Sequence, residues 1–247
     1  MNQADLSRMM ARLMGFFLLG LVRVLTGAQA RWQGCPPKAE QRIYFANHQS
    51  HADLLLIWAA LPSELRSITR PIAAKDYWTK TPFKQWITTS VFNAIYVDRK
   101  NGGQIPISKN GGQIPISQGT SVPGSSPEDG RANLESDPHF SDPLEPLIDA
   151  LESGDSVILF PEGTRGNQEE PQAFKSGLYN LALKFPQVVL VPAWINNVQR
   201  VMPKGEVVPV PILCSVTFGA PIALAENEDR RTFLTRARQA VLSLRDT

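Results

Sequence analysis

The segment Ser156-Val157-Ile158-Leu159-Phe160 constrains this chain more than any other. A strand with one face in water alternates apolar and polar side chains. A strand that is almost wholly apolar has to be covered on both faces. The rest of the sequence supplies the cover. Arg42 to Asn47, Pro71 to Ala74, Asn93 to Val97, Val188 to Ile195 and Val210 to Phe218 also read as strands, and helical patterns fall between them. Ser50-His51-Ala52-Asp53 opens a helix through Trp58. Thr81-Pro82 pairs an N-cap with proline at the first helical position, starting a helix through Trp86. Asp142-Pro143 opens a helix with Leu144, Leu147, Ile148 and Leu151 on one face, which Gly154 ends. Phe174 to Lys184 is another, and a last helix from about Asn227 buries Phe233, Leu234, Ala237, Val241 and Leu244. Strands alternating with helices predict an α/β fold, a central largely parallel or mixed sheet flanked by helices.

Charge and cysteine usage remove several function classes. Twenty-five basic and 23 acidic residues give a formal charge of +2, which argues against a nucleic-acid partner. Cys35 and Cys214 are the only cysteines and have no metal-ligand spacing, so neither a disulfide framework nor a metal site is expected.

The N-terminus carries an apolar run, Leu13 to Val22, preceded by Arg8 and Arg12 and interrupted by Arg23. A spanning helix needs roughly 20 apolar residues, so the run reads as too short. A signal peptide is the rival, with Ala28-Gln29-Ala30 resembling a cleavage site. Asp5 in the basic region, and Arg23 and Gln29 after the apolar run, count against it. The favoured reading is an amphipathic helix, residues 1–25, lying in a membrane surface with its arginines at the headgroups and Phe16, Phe17, Leu18 and Leu21 in the acyl region. The alternative is a helix packed on its own core. Residues 26–247 form the main domain, with an interruption. Lys100 to Ser108 (KNGGQIPIS) recurs letter for letter at Lys109 to Ser117, and Gly, Ser, Pro and acidic residues follow. This composition cannot build a core, so residues 100–141 read as a disordered surface insertion.

Two constellations carry chemistry. In Asn47-His48-Gln49-Ser50-His51-Ala52-Asp53, a strand hands over to a helix, and ligands of α/β sheets bind beyond the carboxyl ends of strands. Asp53 can orient one ring nitrogen of His48 and leave the other to take a proton from a hydroxyl. Ser50 and Asp53 also fit a helix capping box, which would give Asp53 a purely structural task. His51 falls on a helix face and His139 in the insertion, so neither is a good catalytic candidate. The second constellation, Phe160-Pro161-Glu162-Gly163-Thr164-Arg165-Gly166, follows the buried strand. Its glycines permit an anion nest, Arg165 offers a bidentate fork for phosphate, and Glu162 can accept hydrogen bonds from a polyol. Lys75 and Arg99 follow two further strands. If these strands are parallel neighbours, Lys75, Arg99 and Arg165 share one edge and suit a phosphate.

These residues resemble the glycerolipid acyltransferase family, and within it the 1-acylglycerol-3-phosphate acyltransferases. The resemblance rests on Asn-His-x-Ser-x-x-Asp at 47–53, the strand-end Arg99, Phe-Pro-Glu-Gly-Thr-Arg at 160–165 and Val-Pro at 191–192, and runs from about Thr26 to about Pro221. It implies acyl transfer from acyl-CoA or acyl carrier protein, as co-substrate and without metal or other cofactor, to the hydroxyl of a lysophospholipid acceptor of the lysophosphatidic acid type. It places the enzyme on a membrane surface, with the cytoplasmic face as the expected side. His48 and Asp53 would be catalytic; Lys75, Arg99, Glu162, Gly163, Thr164 and Arg165 would bind substrate. Two positions depart from the family pattern: Asn93 and Ala94 stand where a glycine is usual, and Trp194 follows Val-Pro-Ala where aliphatic residues are usual. Glycerol-3-phosphate or another lysophospholipid as acceptor, a thioesterase, and a non-catalytic lipid-binding module are the competing readings.

Overall fold

The structure is a computed structural model that describes residues 3–27, 29–50, 52–97, 144–166, 170–196 and 213–246. The 100–141 insertion, His51, Arg99 and His139 lie outside the described residues.

Seven strands form one sheet in the order β1-β7-β6-β2-β5-β3-β4. They are β1 (Gln29–Trp32), β2 (Arg42–Ala46), β3 (Thr69–Ala74), β4 (Ile95–Val97), β5 (Ser156–Leu159), β6 (Val189–Asn196) and β7 (Ser215–Phe218). β6, β2, β5, β3 and β4 run parallel, β7 is antiparallel to β6, and β1 is parallel to β7. The sheet is therefore mixed, as expected. All four residues of β5 are buried, in line with its uninterrupted apolar sequence.

Alternate side chains of the central strands feed two separate cores. Tyr44, Ala46 and Ile158 point to one face, where α2 (Asp53–Ala60) and Leu65 of α3 (Ser63–Ser67) cover them. Ile43, Phe45, Val157 and Leu159 point to the other. There they meet α6 (Glu145–Glu152), α7 (Gly177–Lys184) and α8 (Arg230–Leu242). After β3 come two short helices, α4 (Lys75–Trp78) and α5 (Pro82–Trp86), and a π-helical turn at Ile87–Val91, with Trp78, Ile87 and Val91 packed on the α2 face. The Thr81 side chain caps α5 by accepting from Lys84 N–H, and Pro82 follows at the start, as the sequence indicates.

Several boundaries differ from the sequence reading. α8 begins at Arg230 rather than near Asn227, because Asn227 takes a left-handed φ of 58° and Asp229 caps the helix through Arg231 and Thr232 N–H. α7 begins at Gly177 rather than Phe174, because the backbone N–H groups of Gln172 and Lys175 bond to Glu162 and Pro161. The last strand spans Ser215–Phe218; Val210 to Ile212 lie outside the described residues. β1 alternates polar and apolar side chains over only four residues, too few to read as a strand, and was not expected. It is held by pairing with β7, and Gln29 and Ala30 of the suspected cleavage site belong to it.

The N-terminal segment is a helix, as expected, and one longer than its apolar run. α1 runs Gln3–Thr26, 24 residues, and an 18-residue stretch within Asp5–Thr26 has a mean hydropathy of 1.7. By length and composition it is long enough to cross a membrane. The arginines that interrupt the apolar run do not end the helix, because Arg is a good helix former. One side of α1 lies on the domain. Ala11 and Thr26 are buried, and Leu18, Leu19 and Val22 pack against the core. The other side exposes Met10, Leu13, Phe16 and Phe17.

Candidate active site

His48 stands just past β2, between the ends of β5 and β6. Its Nδ1 is 2.8 Å from Asp53 Oδ2. The same oxygen accepts from Gln49 N–H at 2.6 Å and Ser50 N–H at 2.8 Å. An oxygen that receives two backbone N–H groups is an acceptor, so Nδ1 carries the ring proton and Nε2 is left as a base. Asp53 is 1% exposed and the His48 side chain 16%. Ser50 does not cap α2: Ala52 holds the N-cap position without a side-chain bond. Asp53 nonetheless braces the loop through Gln49 and Ser50, so its structural and orienting tasks coincide in one oxygen. The Phe160 ring stacks on the imidazole at 4.3 Å and 16°.

The backbone of His48 is clamped by the loop after β5. Glu162 Oε1 accepts from His48 N–H at 2.8 Å, and Gly166 N–H donates to His48 C=O at 2.8 Å. Glu162 Oε2 accepts from Gln172 N–H at 2.8 Å, and the residue is 2% exposed. Burial pushes its carboxyl above the ordinary range, against the lowering effect of the Gln172 and His48 N–H groups. Both oxygens are thus engaged away from solvent, and Glu162 is placed as a brace for His48 rather than as an acceptor open to a polyol. On the opposite side, Asn47 bonds Ile195 of β6 twice, donating to its C=O at 3.1 Å and accepting from its N–H at 2.8 Å. The side-chain amide extends the β2–β6 ladder by one step, just where the histidine leaves it.

The anion nest also takes a different form. Gly163 has φ +69°, the left-handed turn that glycine permits. Its N–H bonds Phe160 C=O and that of Gly166 bonds His48 C=O. Among the described residues, the N–H groups of Thr164 and Arg165 remain without a partner. The Arg165 side chain is exposed and makes no ion pair or hydrogen bond with a described residue.

Residues 33–196 match the acyltransferase family. The chain belongs to that family. Among solved structures it resembles the 1-acyl-sn-glycerophosphate (LPA) acyltransferase PlsC from Thermotoga maritima, with a TM-score of 0.59 and 18% identity. The similarity covers 98% of this chain and 83% of the other. No curated protein sequence matches the chain. At this identity the likeness concerns the fold.

Within this acyltransferase fold, β5, β3 and β4 are parallel neighbours, so the positions following them share the edge where His48 stands. Arg165 follows β5, and Lys75, the exposed first residue of α4, follows β3. One departure from the family pattern has a physical reason. Asn93 adopts φ 48°, a left-handed conformation that asparagine tolerates best after glycine. Trp194 is 4% exposed in the core beside α8, on the sheet face away from α2. The sequence reading quoted Asn47 and Phe160 within its motifs but gave them no task, and it did not weigh Lys175. The Lys175 side chain lies across Gly163, where an added Cβ would come within 2.8 Å of its amine. Its neighbours Phe174 and Gly177 gave no hint, because only the return of the chain to Pro161 brings it there.

Proposed function

We propose that this acyltransferase moves a fatty acyl group from a thioester carrier, acyl-CoA or acyl carrier protein, to the hydroxyl of a lysophosphatidic acid-type acceptor. The observation that carries this reading is the His48 Nδ1–Asp53 Oδ2 contact of 2.8 Å at the sheet edge that also presents Arg165. His48 Nε2 takes the acceptor proton as the hydroxyl oxygen attacks the thioester carbonyl. A C–O bond forms, the C–S bond breaks, and the proton passes from the imidazolium to the departing thiolate. The thioester is already activated, so no acyl-enzyme is needed. Cys214 is an unsuitable nucleophile: it is buried, and desolvation with nearby Asp53 pushes its thiol up to about 11.

Arg165, with Lys75 and Arg99 in support, grips the acceptor phosphate and so places the hydroxyl at His48. Positioning of this kind lowers a barrier by several kcal/mol. The N–H groups of Thr164 and Arg165 are the best-placed donors for developing negative charge on that loop. The exposed apolar face of α1, flanked by Arg8, Arg12 and Arg23, suits a bilayer surface, where the lipid acceptor resides. The test is purified protein with labelled acyl-CoA and acyl carrier protein thioesters against lysophosphatidic acid, glycerol-3-phosphate, another lysophospholipid and water. Transfer to lysophosphatidic acid supports the reading. Preferred transfer to glycerol-3-phosphate moves it to the neighbouring acceptor class, and hydrolysis alone overturns it.

A further inference from the structure

A crevice of about 640 Å³ lies between α1, α3 and the π-helical turn. It is not the His48 site. Thr69, one of its walls, pairs with Ser156 at the start of β5, whereas His48 lies beyond the end of β2. Six residue steps, Arg42 to His48, separate those levels, about 20 Å at the usual rise of extended chain. Neither His48 nor Arg165 lines the crevice.

Its chemistry is divided. Leu19, Val91 and Phe16 form an apolar wall. Arg12 and Arg66 supply cations, and Arg12 has no ion pair among the described residues. The Arg66 guanidinium sits 5.2 Å over the ring of Trp58, which also lines the crevice. Its Nη1 is buried with no hydrogen-bond partner. A buried donor of this kind costs free energy unless something accepts from it. Burial, with Arg23 nearby, also disfavours the charged form of Arg66. Glu64 offsets this only in part, and neither nearby acid bonds to Arg66. Glu64 is bonded to Ser63, and Asp5 pairs with Arg8 at the surface. Phe16 is 72% exposed and belongs to the apolar face of α1, so the crevice is continuous with the face that suits a bilayer.

We infer that this crevice binds an anionic phospholipid, its phosphate on Arg66 and Arg12 and an acyl chain along Phe16, Leu19 and Val91. A free phosphate would use the arginines and ignore the apolar wall; a zwitterionic lipid would use the wall and leave the cations uncompensated. The inference goes beyond the acyl-transfer reading and does not depend on it. The site offers retention at a membrane, or a response to its charge, away from the reacting atoms.

The test uses the full chain carrying His48→Ala, which silences transfer. Dihexanoyl phosphatidylglycerol, phosphatidylcholine with the same chains, and inorganic phosphate are titrated below the micellar range, with binding read by calorimetry. The anionic lipid should bind roughly tenfold tighter than the other two. Arg66→Gln should weaken it roughly tenfold, Arg12→Gln should also weaken it, and Arg165→Ala should not. Arg12 is a surface residue, so its variant keeps the test open if Arg66→Gln fails to fold. Equal binding of the two lipids, phosphate alone binding as tightly, or loss only with Arg165→Ala would each overturn the assignment. The last outcome would place the lipid at the catalytic edge.

Discussion

The loops leaving β2 and β5 lie side by side at one edge of the sheet, and they are built in opposite ways. The β2 loop is locked. Asp53 holds the ring of His48 and two N–H groups, Asn47 ties the loop to β6, and Glu162 and Gly166 hold the His48 backbone. The β5 loop is fixed at Glu162 and Gly166 but leaves Thr164 and Arg165 exposed between them. A general base acts only within hydrogen-bond reach of a defined proton, so small displacements cost rate. A cation that collects a flexible phosphate-bearing substrate benefits from reach. On this comparison, one carboxylate, Glu162, joins the rigid loop to the open one.

The sharpest way to break the comparison is to remove the base. His48→Ala should lower kcat roughly 10²–10⁴-fold with an unchanged circular dichroism spectrum. Near-normal turnover in a folded variant would remove the mechanism. Asp53→Asn should follow at about a hundredfold, because the amide cannot accept from all three donors while also presenting its own N–H. If the loss appears in stability alone, Asp53 is a brace and nothing more.

Arg165→Ala should cost roughly ten- to a hundredfold in kcat/KM, the worth of a charged hydrogen bond. The acceptor KM should rise and the thioester KM stay level. A rise confined to the thioester would transfer this loop to the carrier. Arg165→Lys should rescue only in part, since a point charge lacks the planar fork.

Glu162→Gln should cost about tenfold in kcat with both KM values nearly unchanged, because one of two backbone N–H groups loses its acceptor. A brace acts on the catalytic step, whereas a substrate contact would show in the acceptor KM. The smallest expected effect is on stability against pH. The folded Glu162 carboxyl is raised by burial, so the unfolded chain releases its proton first as pH climbs. Wild-type stability should therefore fall between the ordinary carboxylate value and the raised folded one, and Glu162→Gln should lack that decline. Urea midpoints across that window check the sign.

The amino-acid sequence by itself determined the fold class, because an almost wholly apolar strand such as β5, set among alternating helices and strands, is stable between two helical layers. It also marked His48 with Asp53, and the loop bearing Arg165, since a short spacing after a strand fixes what can meet within one turn. Tertiary structure alone decided what lies between those segments. Glu162 reads as a free acceptor until β5 is set beside β2, and then its oxygens fall on backbone N–H groups 114 and 10 residues away. Asn47 finds its partner 148 residues on, and Lys175 reaches Gly163 only through the loop that delays α7. The length of α1 followed local propensity, but which of its sides meets the protein followed from its packing on α2 and the π-helical turn. A sequence records what each residue can do. Hydrogen bonds and burial between distant segments are properties of the packed chain, and they decide which of those abilities remain open.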